Sequence, residues 1–178
     1  MDGIVVDTNV FVAAGFNAKS ASARILAAIR ENRLQLVWNE PTRRETEFVL
    51  RRIPPLCWNK FADLFRPERE FTRRVDPHDF AFIEDPDDRK FAALGAAAKV
   101  PVVTNDRHLL VHRNLVGFDV LTPRALLTRA GEHPRRPDLI GRHLQQKASE
   151  NSFNWLKTSS CAPCRLQRAR RPQPWRRP

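Results

Sequence analysis

Cysteine is scarce: three residues, at 57, 161 and 164, cannot build the disulfide framework of a small secreted domain. A reducing cytoplasm is therefore the default expectation. No apolar run approaches the roughly 18 residues that a membrane-spanning helix needs. The N-terminus lacks a basic n-region and carries Asp2, so no signal peptide is expected. Met1-Asp2-Gly3 leads straight into the first apolar stretch, and the fold is expected to begin there with nothing before it. Internal repeats are absent. No Gly-rich phosphate loop follows the first strand. His78, His108, His112, His133 and His143 form no ligand spacing with the cysteines. Cys161-Ala162-Pro163-Cys164 is a single CxxC, half of what a structural zinc site requires.

What remains is a chain of 178 residues, 42% apolar, with a net charge of +11. That length suits one domain with a sizeable core plus an extension. The charge favours a polyanionic partner, nucleic acid before membrane, because no basic amphipathic helix stands out. It is unevenly spread. Residues 1–130 hold 20 Lys/Arg against 17 Asp/Glu, a net +3, and residues 131–178 hold 11 against 3, a net +8. The expected organisation is a folded domain over 1–130 and a basic tail over 131–178. The tail is Pro- and Arg-rich and expected to be largely disordered, apart from a helix over residues 139–148. The Arg run from Arg165 to Arg177, with Trp175, reads either as an RNA-binding tail or as sequence without a specific role.

Within the front part, strand and helix signals alternate. Gly3 to Asp7 reads as a buried strand through the β-branched run Ile4-Val5-Val6. Ser20 or Ser22 caps a helix over Ala23 to Glu31. Leu34 to Trp38 is a strand. Pro41 suits the first turn of a helix that carries Glu45 and stops before Pro54-Pro55. A helix over Trp58 to Phe65 and a strand over Phe71 to Val75 follow. Asp76 to Asp87 is a loop, with or without a short helix, and Asp88 opens a helix to Lys99. Val100 to Thr104, weakened by Pro101, and Val116 to Leu121 are the last strands. Short helices follow them, over Arg107 to His112 and from Pro123. Alternation of this kind implies an α/β fold, a central parallel sheet with helices on both faces.

Four acids stand out against this frame. Asp7 and Asp106 close strands, Asp88 opens a helix, and Glu45 lies on one. Ligands bind at the carboxyl ends of the strands in open parallel sheets. Carboxylates gathered there repel one another unless a cation joins them, and such hard oxygen ligands suit Mg²⁺ or Mn²⁺. On a basic protein this suggests metal-dependent cleavage of a phosphodiester. Taken singly, each acid reads as something plainer: Asp7 and Asp88 as caps, Glu45 as a solvated residue paired with Arg51 or Arg52. Glu47 competes with Glu45, and the phase relative to Leu50 favours Glu45.

Asp7-Thr8-Asn9 after a first strand, Glu45 with Leu50 five positions on, Asp85-Pro86-Asp87-Asp88 before Phe91-Ala92-Ala93-Leu94, and Val103-Thr104-Asn105-Asp106 before Leu109-Leu110 follow in order. Together they resemble the PIN-domain nucleases, most closely the prokaryotic toxin-like group related to the VapC toxins. The resemblance covers residues 3 to about 127. It implies a ribonuclease with one or two Mg²⁺ or Mn²⁺ ions in an acidic site. Asp7 would be the central ligand, Asp88 and Asp106 the others, and Glu45 would hold a metal-bound or attacking water. Asn9 and Thr104 would bind phosphate or brace Asp7, and Asp85 and Asp87 are additional candidate ligands. The resemblance further implies an RNA substrate, a cognate antitoxin blocking the acidic groove, and a homodimer. Arg66, Arg69, Arg73 and Arg74 either grip the RNA backbone or balance nearby acids. The rivals are a catalytically silent RNA-binding module and a housekeeping RNA-processing nuclease. A phosphatase is disfavoured, because Asn9 stands where such enzymes carry a second Asp.

Overall fold

The structure is a computed structural model that describes residues 3–131. The expected basic tail, its helix over 139–148 and its CxxC pair lie outside the described residues.

Four short parallel strands form one sheet in the order β2-β1-β3-β4: β1 (Gly3–Val6), β2 (Gln35–Leu36), β3 (Val102–Val103) and β4 (Val120–Leu121). The chain leaves β1 toward one edge and returns across it to form β3. The strand order therefore reverses between β1 and β3, and in open α/β sheets a crevice opens beyond the strand ends at such a switch. Alternation along β1 divides the core. Ile4 and Val6 join Leu26, Ile29, Leu50, Leu126 and others on one side, whereas Val5 packs with Phe91, Leu94 and Val102 on the other. Helices thus cover both faces, as the alternation of the sequence predicts. Among the described residues no helix is long and apolar enough to cross a membrane.

The helices are α1 (Thr8–Phe16), α2 (Ala21–Arg30), α3 (Glu40–Arg52), α4 (Pro86–Ala98), α5 (Arg107–Val111) and α6 (Pro123–Arg129). Local chemistry sets their ends. Ser20 caps α2 by accepting from the N–H of Ala23. Asn39 and Thr42 form a reciprocal capping box on α3, and Pro41 occupies its first turn. Thr122 caps α6 ahead of Pro123.

Several expectations are corrected. Helix α1 has no counterpart in the sequence reading, because Thr8–Phe16 is apolar nearly all round and shows no amphipathic period. Residues 58–65 form two 3₁₀ turns, Trp58–Lys60 and Ala62–Leu64, in place of one helix. They still bury Phe61 and Leu64. Phe71 to Val75 is not a strand: pairing stops at a single bridge between Trp38 and Glu70, followed by a bond from Phe71 N–H to the Trp38 carbonyl. The last strand is shorter than expected, beginning at Val120. Helix α4 begins at Pro86 under an Asp85 cap, so Asp88 lies within its first turn and does not open it. Trp38 and Trp58 are core residues.

Candidate active site

Asp7 follows the last residue of β1 and is 2% exposed. Its backbone N–H donates to the Val103 carbonyl of β3 at 3.0 Å, which extends the β1–β3 ladder to the point where the strands part. Its side chain caps α1 by accepting from the N–H of Asn9, and its Oδ2 accepts a 2.6 Å bond from the hydroxyl of Thr104, a wholly buried residue. Thr104 follows β3, and its Oγ1 also accepts the backbone N–H of Asp106 at 2.8 Å. Asp106 caps α5 through the N–H of His108 and accepts from Nδ2 of Asn9 at 3.1 Å. Asn9 and Thr104 thus lace Asp7 and Asp106 together across the strand ends. The Thr104 hydroxyl braces Asp7, whereas the Asn9 side chain bonds Asp106 instead of Asp7.

Asp88 comes to the same place from α4 and is 6% exposed. Its Oδ2 is buried and has no hydrogen-bond partner among the described residues. Burial pushes the Asp7 carboxyl up from 3.8 to about 6, against the lowering effect of the bonds from Thr104 and Asn9. Asp88 has no such donors. Burial first, then the charges of Asp7, Asp106 and Asp85, raise it to about 7. The three acids are therefore within mutual electrostatic reach, and their ionised forms are held together at a cost.

Glu45 and Asp87 are placed differently. Nζ of Lys90 lies 3.0 Å from Glu45 Oε2 and 2.8 Å from Asp87 Oδ1 and ties α3 to α4. The plainer sequence reading of Glu45, a pairing with Arg51 or Arg52, is corrected. Arg51 binds Glu47, and Arg52 stacks over the ring of Phe48. Glu47 also holds Arg43, so it belongs to an ion network along the α3 surface. The next residue, Thr46, ties α3 to α1, its hydroxyl meeting that of Thr8 at 3.0 Å. Asp85 caps α4 by accepting from the N–H of Asp87, and its charge adds to the rise of Asp88. Arg66 is engaged by Asn32 and the Arg30 carbonyl, so it is not free to grip a ligand.

The fold sets these residues in the order found in the sequence, and a family model for the PIN domain matches residues 3–108. The chain belongs to the PIN-domain family. The match spans all four acids, and PIN domains are in general nucleases. No curated protein matches the chain. In this PIN domain, β4 and α6 lie beyond the matched stretch yet share its core through Leu126 and Leu127.

A divalent cation fits the donor set. Asp7, Asp88 and Asp106 offer carboxylate oxygens, and the buried, unbonded Oδ2 of Asp88 is an acceptor that a cation would satisfy. As the side chains stand, no three His, Cys, Asp or Glu groups among the described residues converge on one point at ligand spacing.

Next to Asp106 lies an open cleft of about 750 Å³, with Ser22, Arg107, His108 and Arg124 among its walls. Sequence motifs single out none of Arg107, Arg124 or the bridging Lys90, and they offer Ser22 only as a helix cap, a place that Ser20 takes. One signal was available for Arg124. Thr122 caps the helix after the last strand, so Arg124 stands at the same carboxyl end of the strands as Asp7 and Asp106.

Proposed function

We propose that this PIN domain is a metal-dependent endoribonuclease that hydrolyses RNA phosphodiester bonds with Mg²⁺ or Mn²⁺. The observation that carries the reading is the buried, unpartnered carboxylate oxygen of Asp88 beside Asp7 and Asp106, at the strand-order reversal. Asp7, Asp88 and Asp106 would hold the ion or ions, with Asp7 in the central position. Such ions supply a nucleophilic water and stabilise the leaving oxygen. Thr104 fixes the Asp7 carboxylate, and Asn9 fixes that of Asp106. Glu45, once released by Lys90, would orient the attacking water from α3. Asp85, which caps α4, and Asp87, which pairs with Lys90, are additional candidate ligands.

The basic excess of the chain supports an RNA substrate by attraction to phosphate. We place the protein in the cytoplasm, as the toxin half of a toxin–antitoxin pair. A small antitoxin would cover the acidic groove, and a homodimer is the working assembly. These further readings rest on likeness to the VapC relatives.

The second reading, a silent RNA-binding module, is favoured by the Lys90 bridge to Glu45 and by the unconverged carboxylates. Asp7→Asn separates the two. A nuclease loses cleavage of single-stranded RNA while keeping its affinity for it. A binding module shows no cleavage in either form.

A further inference from the structure

The cleft beside Asp106 carries a ligand class of its own. Its walls come from α1, from the start of α2, from Asn105 to His108 and from the β4–α6 turn. Arg107 and Arg124 are exposed there, and among the described residues neither guanidinium is bonded to a carboxylate. Elsewhere on this domain, arginines such as Arg43, Arg44 and Arg51 are consumed by acids of their own helix. Ser22, 3% exposed, accepts from Nδ2 of Asn105 at 3.3 Å, and its own proton has no acceptor among the described residues. Thr122 Oγ1 likewise accepts from Ala125 and keeps its proton to donate. The one carboxylate in the wall, Asp106, is engaged by Asn9. The cleft therefore presents two free guanidinium groups and hydroxyl donors, which is the chemistry that holds a phosphate.

Its position is equally specific. Neighbouring strands lie roughly 4.8 Å apart, so the end of β4 stands about 10 Å from the end of β1, with Asp106 between them. A strand of RNA whose scissile phosphate sits at the acids would place an adjacent phosphate over this cleft. We propose that the cleft is a subsite for the backbone phosphate next to the scissile one in single-stranded RNA, held by Arg107 and Arg124 with Ser22 and Thr122. The proposal rests on the ribonuclease reading for its register, but its binding arm does not require turnover.

The experiment measures binding of a short single-stranded RNA by the full chain carrying Asp7→Asn. Arg107→Gln and Arg124→Gln, singly and together, are compared with Lys99→Gln, which removes a charge at the opposite edge of the sheet. Each cleft variant is expected to weaken binding severalfold and to flatten the slope of log affinity against log salt by roughly 0.7, the loss of one single-strand phosphate contact. Lys99→Gln should change neither. An RNA series with one phosphate at a time replaced by an uncharged methylphosphonate should then reveal one position whose neutralisation weakens binding to Asp7→Asn. That penalty should vanish in the double Arg variant, as expected for a shared contact. Unchanged affinity in the Arg variants, an equal loss with Lys99→Gln, or a methylphosphonate penalty that persists would overturn the subsite. Absence of cleavage by the wild-type chain, with the binding results as expected, would overturn the nuclease reading and leave the subsite standing.

Discussion

Thr104 donates a 2.6 Å hydrogen bond from Oγ1 to Asp7 across 97 residues of sequence, and the same oxygen accepts the backbone N–H of Asp106 at 2.8 Å. One buried hydroxyl thereby sets the spacing of two acids that close adjacent strands. Thr104→Val keeps the shape and removes both contacts. A bond to a charged group contributes about 1.5–3 kcal/mol, so cleavage is expected to fall roughly ten- to a hundredfold. The fold should survive, because valine suits the strand end. Single-turnover rates on RNA, beside circular dichroism, measure both.

The raised carboxyls give the protein a pH-dependent stability. The unfolded chain ionises Asp7 and Asp88 near 3.8, whereas the folded protein does so at about 6 and about 7. Between those limits the folded state binds more protons, so stability falls as pH rises. The favourable contribution is complete below 3.8 and is lost as pH passes through about 6 for Asp7 and about 7 for Asp88. The metal-free protein should melt lower at pH 8 than at pH 5. Asp88→Asn should reduce that difference. Mn²⁺ should raise the melting temperature of the wild type more at pH 8, since ligands must be deprotonated to bind it. Thermal melts at both pH values, with and without Mn²⁺, provide the check.

Helix α4, which carries Asp88, lies on the sheet through Gly95. A Cβ at that position would collide with Cγ2 of Val102 and stand 3.1 Å from Cε2 of Phe118. Val102 is fully buried and stiff at χ1, so it cannot yield. Gly95→Ala gains helix propensity yet must push α4 away from β3. A net destabilisation of about 1–3 kcal/mol is expected from such overpacking. Chemical denaturation reads the stability, and the displacement of Asp88 should also weaken Mn²⁺ binding.

Lys90→Met removes the cation that holds Glu45 and Asp87. A partly exposed pair of this kind contributes about 1 kcal/mol or less, so the domain should stay folded. The freed Glu45 adds a negative charge to the site, and the Mn²⁺ concentration for half-maximal cleavage should fall. An unchanged midpoint would mean that Glu45 plays no part in holding the ion or its water.

The parts of the site readable from the sequence are those governed by strand ends. Ile4-Val5-Val6 and Val102-Val103 are β-branched and run into Asp7 and Thr104, and parallel pairing then places those residues side by side. Helix α1 was illegible because Thr8–Phe16 is buried on several sides and lacks an apolar stripe. The role of Asp88 was legible only in part. The sequence reading takes Asp88 as the residue that opens the helix, whereas Pro86, with φ preset for a first helical turn, makes Asp85 the cap. The Lys90 bridge and the Arg107–Arg124 cleft depend on how distant elements meet, α3 against α4 and both α5 and α6 against β4, and no local pattern encodes that.

The most direct test of the central claim is cleavage of single-stranded RNA by the full chain across a Mn²⁺ titration, with Asp88→Asn in parallel. The account predicts cleavage that rises with Mn²⁺, stops with EDTA, returns when Mn²⁺ is restored, and is lost in the variant at every concentration. Cleavage that persists in EDTA, or a variant as active as the wild type, would contradict it.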